Sequence, residues 1–162
     1  MTEHTAEPAA PASRGRYFDE FEEGDQIVTF GRTVTEADIV AFASLSGDWN
    51  PLHVDAPYAA GTMFGQRIAH GLLVLAIASG LAARLGFMDA TVEAFLGLDW
   101  RFRAPIRIGD TVHVAAVVKE KRAVRRLGGG IVTLAVDVLN QEGAAVQQGD
   151  WRILVRSRPS EA

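Results

Sequence analysis

Hydrophobic and polar positions change period several times along this chain. In "GIVTLAVDVLN" (Gly130–Asn140), Val132, Leu134, Val136 and Val138 alternate with Thr133, Ala135, Asp137 and Leu139. A period of two predicts a strand with one buried face. "EAFLGLDWRFRAPI" (Glu93–Ile106), "TVHVAAVVKEKRAV" (Thr111–Val124) and "AAVQQGDWRILVRS" (Ala144–Ser157) predict further strands. "QIVTFGRTV" (Gln26–Val34) has the same β-branched content. "RRLGGG" (Arg125–Gly130) and "NQEG" (Asn140–Gly143) read as hairpin turns between them. The count is about five strands, paired antiparallel.

Three segments read as helices. In "TEADIVAFASLSG", Thr35 can cap a helix, Glu36 and Asp38 suit its positive first turn, and Gly47 suits its end. Asp55 can cap a second, short helix with Pro57 in its first turn. "RIAHGLLVLAIASGLAARLG" (Arg67–Gly86) is apolar on nearly every face. A helix of that kind is normally wrapped by other structure. The layout is therefore α+β: one long buried helix against an antiparallel sheet. A single curled sheet covers such a helix on one side only. A second copy of the chain is the natural remedy, so a homodimer is expected, or a higher oligomer of dimers.

Composition narrows the function. The chain has 162 residues, enough for one domain with a real core. Its 20 acidic residues outnumber its 16 basic ones, which argues against nucleic acid or an anionic membrane as a main partner. There is no cysteine, so thiol nucleophiles and thiolate-bound metals are excluded, and a cytoplasmic location is the simplest expectation. The 13-residue run Gly71–Ala83 is too short to cross a bilayer. Residues 1–14 lack the apolar stretch of a signal peptide and read as a disordered tail. The domain is expected over residues 15–157, with 158–162 as a short C-terminal tail.

Candidate chemistry concentrates in "SLSGDWNPLHVDAPYAA" (Ser44–Ala60). Asp48 and His53 stand five apart, just past a helix end, with Asn50-Pro51 restricting the backbone between them. A carboxylate and an imidazole sharing one water form a general acid/base unit. Leu45, Trp49 and Leu52 would supply apolar surroundings that raise the pKa of Asp48. The plainer alternative is that these are turn formers and that the histidine satisfies a backbone carbonyl. A metal site has weaker support, because only His53 and His70 are plausible nitrogen ligands.

The order Ser46, Gly47, Asp48, Asn50, Pro51, Leu52, His53 and Ala59 resembles the signature of the MaoC-like hydratases, the (R)-specific enoyl-CoA hydratase family. Further similarity runs through "FEEGDQI", "GRTVTEADIVAFA", "IAHGLLVLAIASGL" and "FRAPIRIGDTV", about Tyr17 to Val155 in all. The resemblance implies a hot-dog fold, a long central helix wrapped by an antiparallel sheet, dimerised edge to edge. It implies reversible syn hydration of a trans-2-enoyl-CoA to an (R)-3-hydroxyacyl-CoA. Asp48 and His53 would then hold the water, with Asp48 the base and His53 its partner, or the reverse. Asn50 and Pro51 would brace that loop. The backbone N–H of Gly71 would receive the thioester oxyanion. His70 would support the loop or a subunit contact, and Ser79 matches a serine that assists in some members. No cofactor and no metal are implied, since the CoA thioester is the substrate.

The basic cluster "KEKRAVRR" (Lys119–Arg126) is either a solvated turn or a contact for CoA phosphates. Trp100, Phe102 and Trp151 read as core or pocket wall rather than a base-stacking platform. Two other functions share this fold class. One is a thioesterase, which would send water to the carbonyl carbon. The other is a non-catalytic subunit of a heterodimeric dehydratase, which would be expected to lack Asp48 or His53.

Overall fold

The computed structural model describes residues 15–159. The expected tail, residues 1–14, lies outside them, as do 160–162. Its elements in chain order are β1 (Gln26–Val28), β2 (Arg32–Thr33), α1 (Glu36–Ser46), α2 (Pro51–Val54), α3 (Ala56–Ala60) and α4 (Gly71–Ala83). Four longer strands follow: β3 (Val92–Phe102), β4 (Thr111–Val124), β5 (Gly129–Leu139) and β6 (Ala145–Arg156). The sheet runs β1-β4-β5-β6-β3, antiparallel throughout, and β2 also pairs with β4. No helix among the described residues is long and apolar enough to cross a membrane.

The alternation read in β5 is the alternation observed: Val132, Leu134, Val136 and Val138 are all buried. On β6, Trp151, Ile153 and Val155 continue the same inner face. α4 lies against it. Its buried residues are Leu73, Val74, Ile77, Ala78, Leu81 and Ala82, a stripe at helical spacing. Leu72, Ala76, Ser79 and Gly80 face outward and stay exposed. The sheet thus covers the helix on one side only, the hot-dog arrangement.

Two boundaries differ from the sequence reading. Of the apolar run Arg67–Gly86 only Gly71–Ala83 is α4, with Gly71 at the helix start that an oxyanion-binding N–H requires, and the segment before it is extended: Ala69 N–H donates to the Ile106 carbonyl at 2.8 Å and Ile68 bridges to Arg107. β3 ends at Phe102, because the next two N–H groups, of Arg103 and Ala104, both donate to the Val146 carbonyl and the ladder with β6 stops there. The stretch Gln26–Val34 is two short strands, not one. The Thr29 hydroxyl accepts the Val114 N–H at 2.9 Å in place of a main-chain carbonyl, and the ladder breaks there.

Candidate active site

The site is built where α1 ends and α4 begins. Gly47 terminates α1 in the left-handed conformation (φ 78°), a backbone state that glycine takes without side-chain strain. The chain then turns through side-chain bonds to its own backbone. The Ser46 hydroxyl accepts from Asp48 N–H (3.2 Å), Asp48 Oδ1 accepts from Asn50 N–H (3.2 Å), and Asn50 Oδ1 accepts from Leu52 N–H (3.0 Å). Asn50 thereby caps α2, and Pro51 stands at its start.

His53 lies on α2 and donates from Nδ1 to the Ile68 carbonyl at 2.8 Å. A carbonyl only accepts, so the proton of the neutral ring is on Nδ1 and Nε2 keeps its lone pair. His70, 3% exposed, donates from Nε2 to the Asp48 carbonyl at 2.9 Å. The two rings stack with centroids 3.7 Å apart. One nitrogen or oxygen of each of Asp48, His53 and His70 lies within 4.8 Å of the others. Two hydrogen bonds of about 2.8 Å meeting at a tetrahedral angle span about 4.6 Å, so one water fits between the acid and a ring nitrogen. The same spacing brings cations to mind. Stacked rings, however, direct their nitrogens along neighbouring planes rather than toward one ion, and His70 Nε2 is already committed to a carbonyl.

Gly71 is the first residue of α4, and His70 is its N-cap. The His70 carbonyl accepts Val74 N–H, so it points down the helix. The Gly71 N–H, on the opposite side of the same planar peptide, points out of the helix end. Gly71 and His53 both line a cavity of about 430 Å³, mainly apolar, with Ile68, Phe102, Pro105 and Gln147. A Cβ on Gly71 would stand 2.7 Å from the Phe102 ring. Phe102 is therefore pocket wall, Trp151 is core, and Trp100 packs partly buried beside it.

Several expected features lie elsewhere. Ser79 is exposed and does not line this cavity. Eight residues on from Gly71 place it about 12 Å along the helix and about 80° round it. The apolar enclosure of Asp48 is not formed within this chain: its side chain is 52% exposed, and Leu45 and Trp49 also face solvent. In the basic cluster, Lys119 pairs with Asp150 and Lys121 donates to the Phe18 and Phe21 carbonyls. The cluster is not part of the cavity lining, and the cation there is Arg103. Gln147 was missed from sequence. Its signal was a polar residue on the inward row of β6, in register with Trp151 and Ile153.

The chain is 42% identical over 113 residues to the (R)-specific enoyl-CoA hydratase of Rhodospirillum rubrum, covering 67% of this chain and 76% of that one. It is 42% identical over 110 residues to Protein MaoC of Klebsiella aerogenes, which covers 65% of this chain but only 31% of that longer protein. Among solved structures, the monoamine oxidase regulatory protein from Archaeoglobus fulgidus superposes with a TM-score of 0.85 at 40% identity, covering 93% of this chain and all of that one. A Mycobacterium tuberculosis protein described as a double hot-dog fold shares the fold at a TM-score of 0.78 and 22% identity, over 91% of this chain and 46% of that one. Residues 20–140 match the family model described as the MaoC like domain, and the chain belongs to that family.

Proposed function

We propose that this protein is an (R)-specific enoyl-CoA hydratase, catalysing the reversible syn addition of water to a trans-2-enoyl-CoA. The observation that carries the reading is that Asp48 stands within 4.8 Å of His53, and that His53 lines an apolar cavity together with Gly71, the first residue of α4. The Rhodospirillum rubrum relative bears that activity in its name.

The chemistry matches the groups. In an enoyl thioester the carbonyl draws electrons from the double bond, so water adds at C3 and negative charge gathers on the thioester oxygen. Asp48 takes a proton from the water, and His53, its Nδ1–H held by Ile68, orients that water with Nε2. The Gly71 N–H receives the developing oxyanion, aided by the positive end of the α4 dipole. A proton returned to C2 on the same face completes a syn addition. The reverse sequence is dehydration of the (R)-3-hydroxyacyl-CoA. No cofactor beyond the thioester enters this scheme.

The protein is also proposed to work as a homodimer. β3 ends the sheet with one edge unpaired, and Leu96, Leu98 and Phe102 along it are exposed. The test of function is a chain-length series of trans-2-enoyl-CoAs, following loss of the conjugated thioester absorbance and the configuration of the product. Expected is (R)-3-hydroxyacyl-CoA with no free CoA. Release of free CoA instead would make the protein a thioesterase, and inertness toward the whole series would remove the hydratase reading.

A further inference from the structure

Four polar side chains are buried among the described residues: Thr29, His70, Thr91 and Gln147. Thr29 belongs to the β1–β4 pairing, Thr91 bonds the Phe87 carbonyl, and His70 holds Asp48. Gln147, 2% exposed, belongs to none of these. It stands on β6 on the row that carries Trp151 and Ile153, just after Val146, where the register with β5 slips. Its Oε1 accepts from Trp100 Nε1 at 2.9 Å, and its Nε2 donates to the Gly71 carbonyl at 2.9 Å. Indole nitrogen only donates, so Trp100 fixes which end of the amide faces it and turns the NH₂ group to Gly71.

We propose that Gln147, locked by Trp100, is a positioning residue for the oxyanion-binding N–H of Gly71; this rests on the hydratase reading above. Gly71 sits in the first turn of α4, where helices fray, and lacks the side chain that would restrict its backbone. The peptide plane before it is fixed by the His70 carbonyl bonding Val74 N–H. The plane after it is held at the Gly71 carbonyl both within the helix and, from outside it, by Gln147. Holding both planes sets the direction of the Gly71 N–H before substrate arrives. A donor aimed in advance at developing charge is what makes such a site effective.

The test uses the full chain with Gln147→Met and Gln147→Glu, assayed on the best enoyl-CoA and followed by the Gly71 amide signal in ¹H–¹⁵N spectra. Gln147→Met is expected to lower kcat about tenfold with KM within about twofold, and to shift or broaden the Gly71 signal. In Gln147→Glu only the protonated acid can both accept from Trp100 and donate to Gly71, so kcat should recover as pH falls; Gln147→Met should show no such recovery. If Gln147→Met fails to fold, Trp100→Phe, which frees the amide to rotate, takes its place in the same measurements. The proposal is overturned if Gln147→Met keeps kcat within twofold and leaves the Gly71 signal unmoved. It is equally overturned if Gln147→Glu tracks Gln147→Met at every pH. Should the parent protein hydrate no enoyl-CoA, the hydratase reading falls separately, and the Gly71 signal alone decides whether Gln147 orders that amide.

Discussion

The imidazole rings of His53 and His70 stack face to face, with centroids 3.7 Å apart and planes 29° from parallel. Each ring also grips one carbonyl, His53 that of Ile68 and His70 that of Asp48. The acid loop, α2 and the entrance to α4 are thus held as one unit. His70→Phe keeps the ring and removes the donor. It is expected to lower kcat about tenfold through a displaced Asp48, while stability changes by about 1 kcal/mol, the usual worth of one hydrogen bond. Steady-state kinetics with a thermal melt check this. Unchanged kcat would mean that the turn bonds from Ser46 and Asn50 suffice to hold Asp48.

Asp48 and His53 are expected to fail together. Asp48→Asn and His53→Ala should each reduce kcat by about 10²–10⁴, the usual worth of a positioned proton-transfer group. If both serve one water, the double variant should be scarcely worse than the poorer single one. Rate losses that multiply across the double-mutant cycle would show two independent roles and separate the residues mechanistically.

How much of this was legible in sequence varies with how local the cause is. The alternation in β5, the Thr35 and Asp55 caps and the Gly47 stop all appeared where the residues said they would, since each is decided within a few positions. Arg67–His70 looked helical and is extended, because a carbonyl on Ile106 outbids local propensity for the Ala69 N–H. The break at Thr29 depends on β4, far along the chain. In the site, Asp48, His53 and Gly71 were visible as a motif. The stacking of His70 on His53 was not, nor was Gln147, which reaches Gly71 across 76 positions.

Gly71 also meets a steric limit. A methyl group there would stand 2.7–2.8 Å from two carbons of the Phe102 ring, which is half exposed and can swing aside. Gly71→Ala should therefore fold, with stability changed by about 1 kcal/mol or less. The displaced ring would intrude on the cavity that both residues line, so kcat/KM is expected to fall about tenfold. Adding Phe102→Ala should restore it to within about threefold of the Phe102→Ala single variant. A double variant as poor as Gly71→Ala would place the harm at the oxyanion site itself.

Asp38 links α1 to pH. Burial alone would raise its pKa, but hydrogen bonds from the Thr35 N–H and hydroxyl, together with Arg32, outweigh that and hold its carboxyl below the ordinary 3.8. A pKa depressed on folding means the native state binds fewer protons than the unfolded state. The stabilisation is then present above pH 3.8 and lost as pH falls through the lowered value. Asp38→Ala is expected to cost about 1 kcal/mol at pH 7, as loss of a capping interaction does. The gap between variant and parent should close in melts taken from pH 5 down to about pH 2. A gap that stays constant over that range would assign the effect to packing rather than charge.

The unpaired edge of β3 carries the final prediction. An exposed edge strand with apolar side chains invites pairing with another chain, and Leu96 and Leu98 lie in the middle of this one. Pairing two such edges would extend the sheet across both copies. It would also bring apolar surface toward the outward face of α4, where Leu72 is exposed beside the cavity. Light scattering on the parent protein is expected to give twice the 17.4 kDa chain mass. A Leu96→Glu/Leu98→Glu variant would set like charges against each other across the two-fold axis and should run at the single-chain mass. Its core is untouched, so the sheet's circular dichroism should persist, while activity falls because the apolar walls near Asp48 and Leu72 lose their cover. A parent protein already at 17.4 kDa would remove the homodimer, and a variant that stays paired would move the contact away from β3.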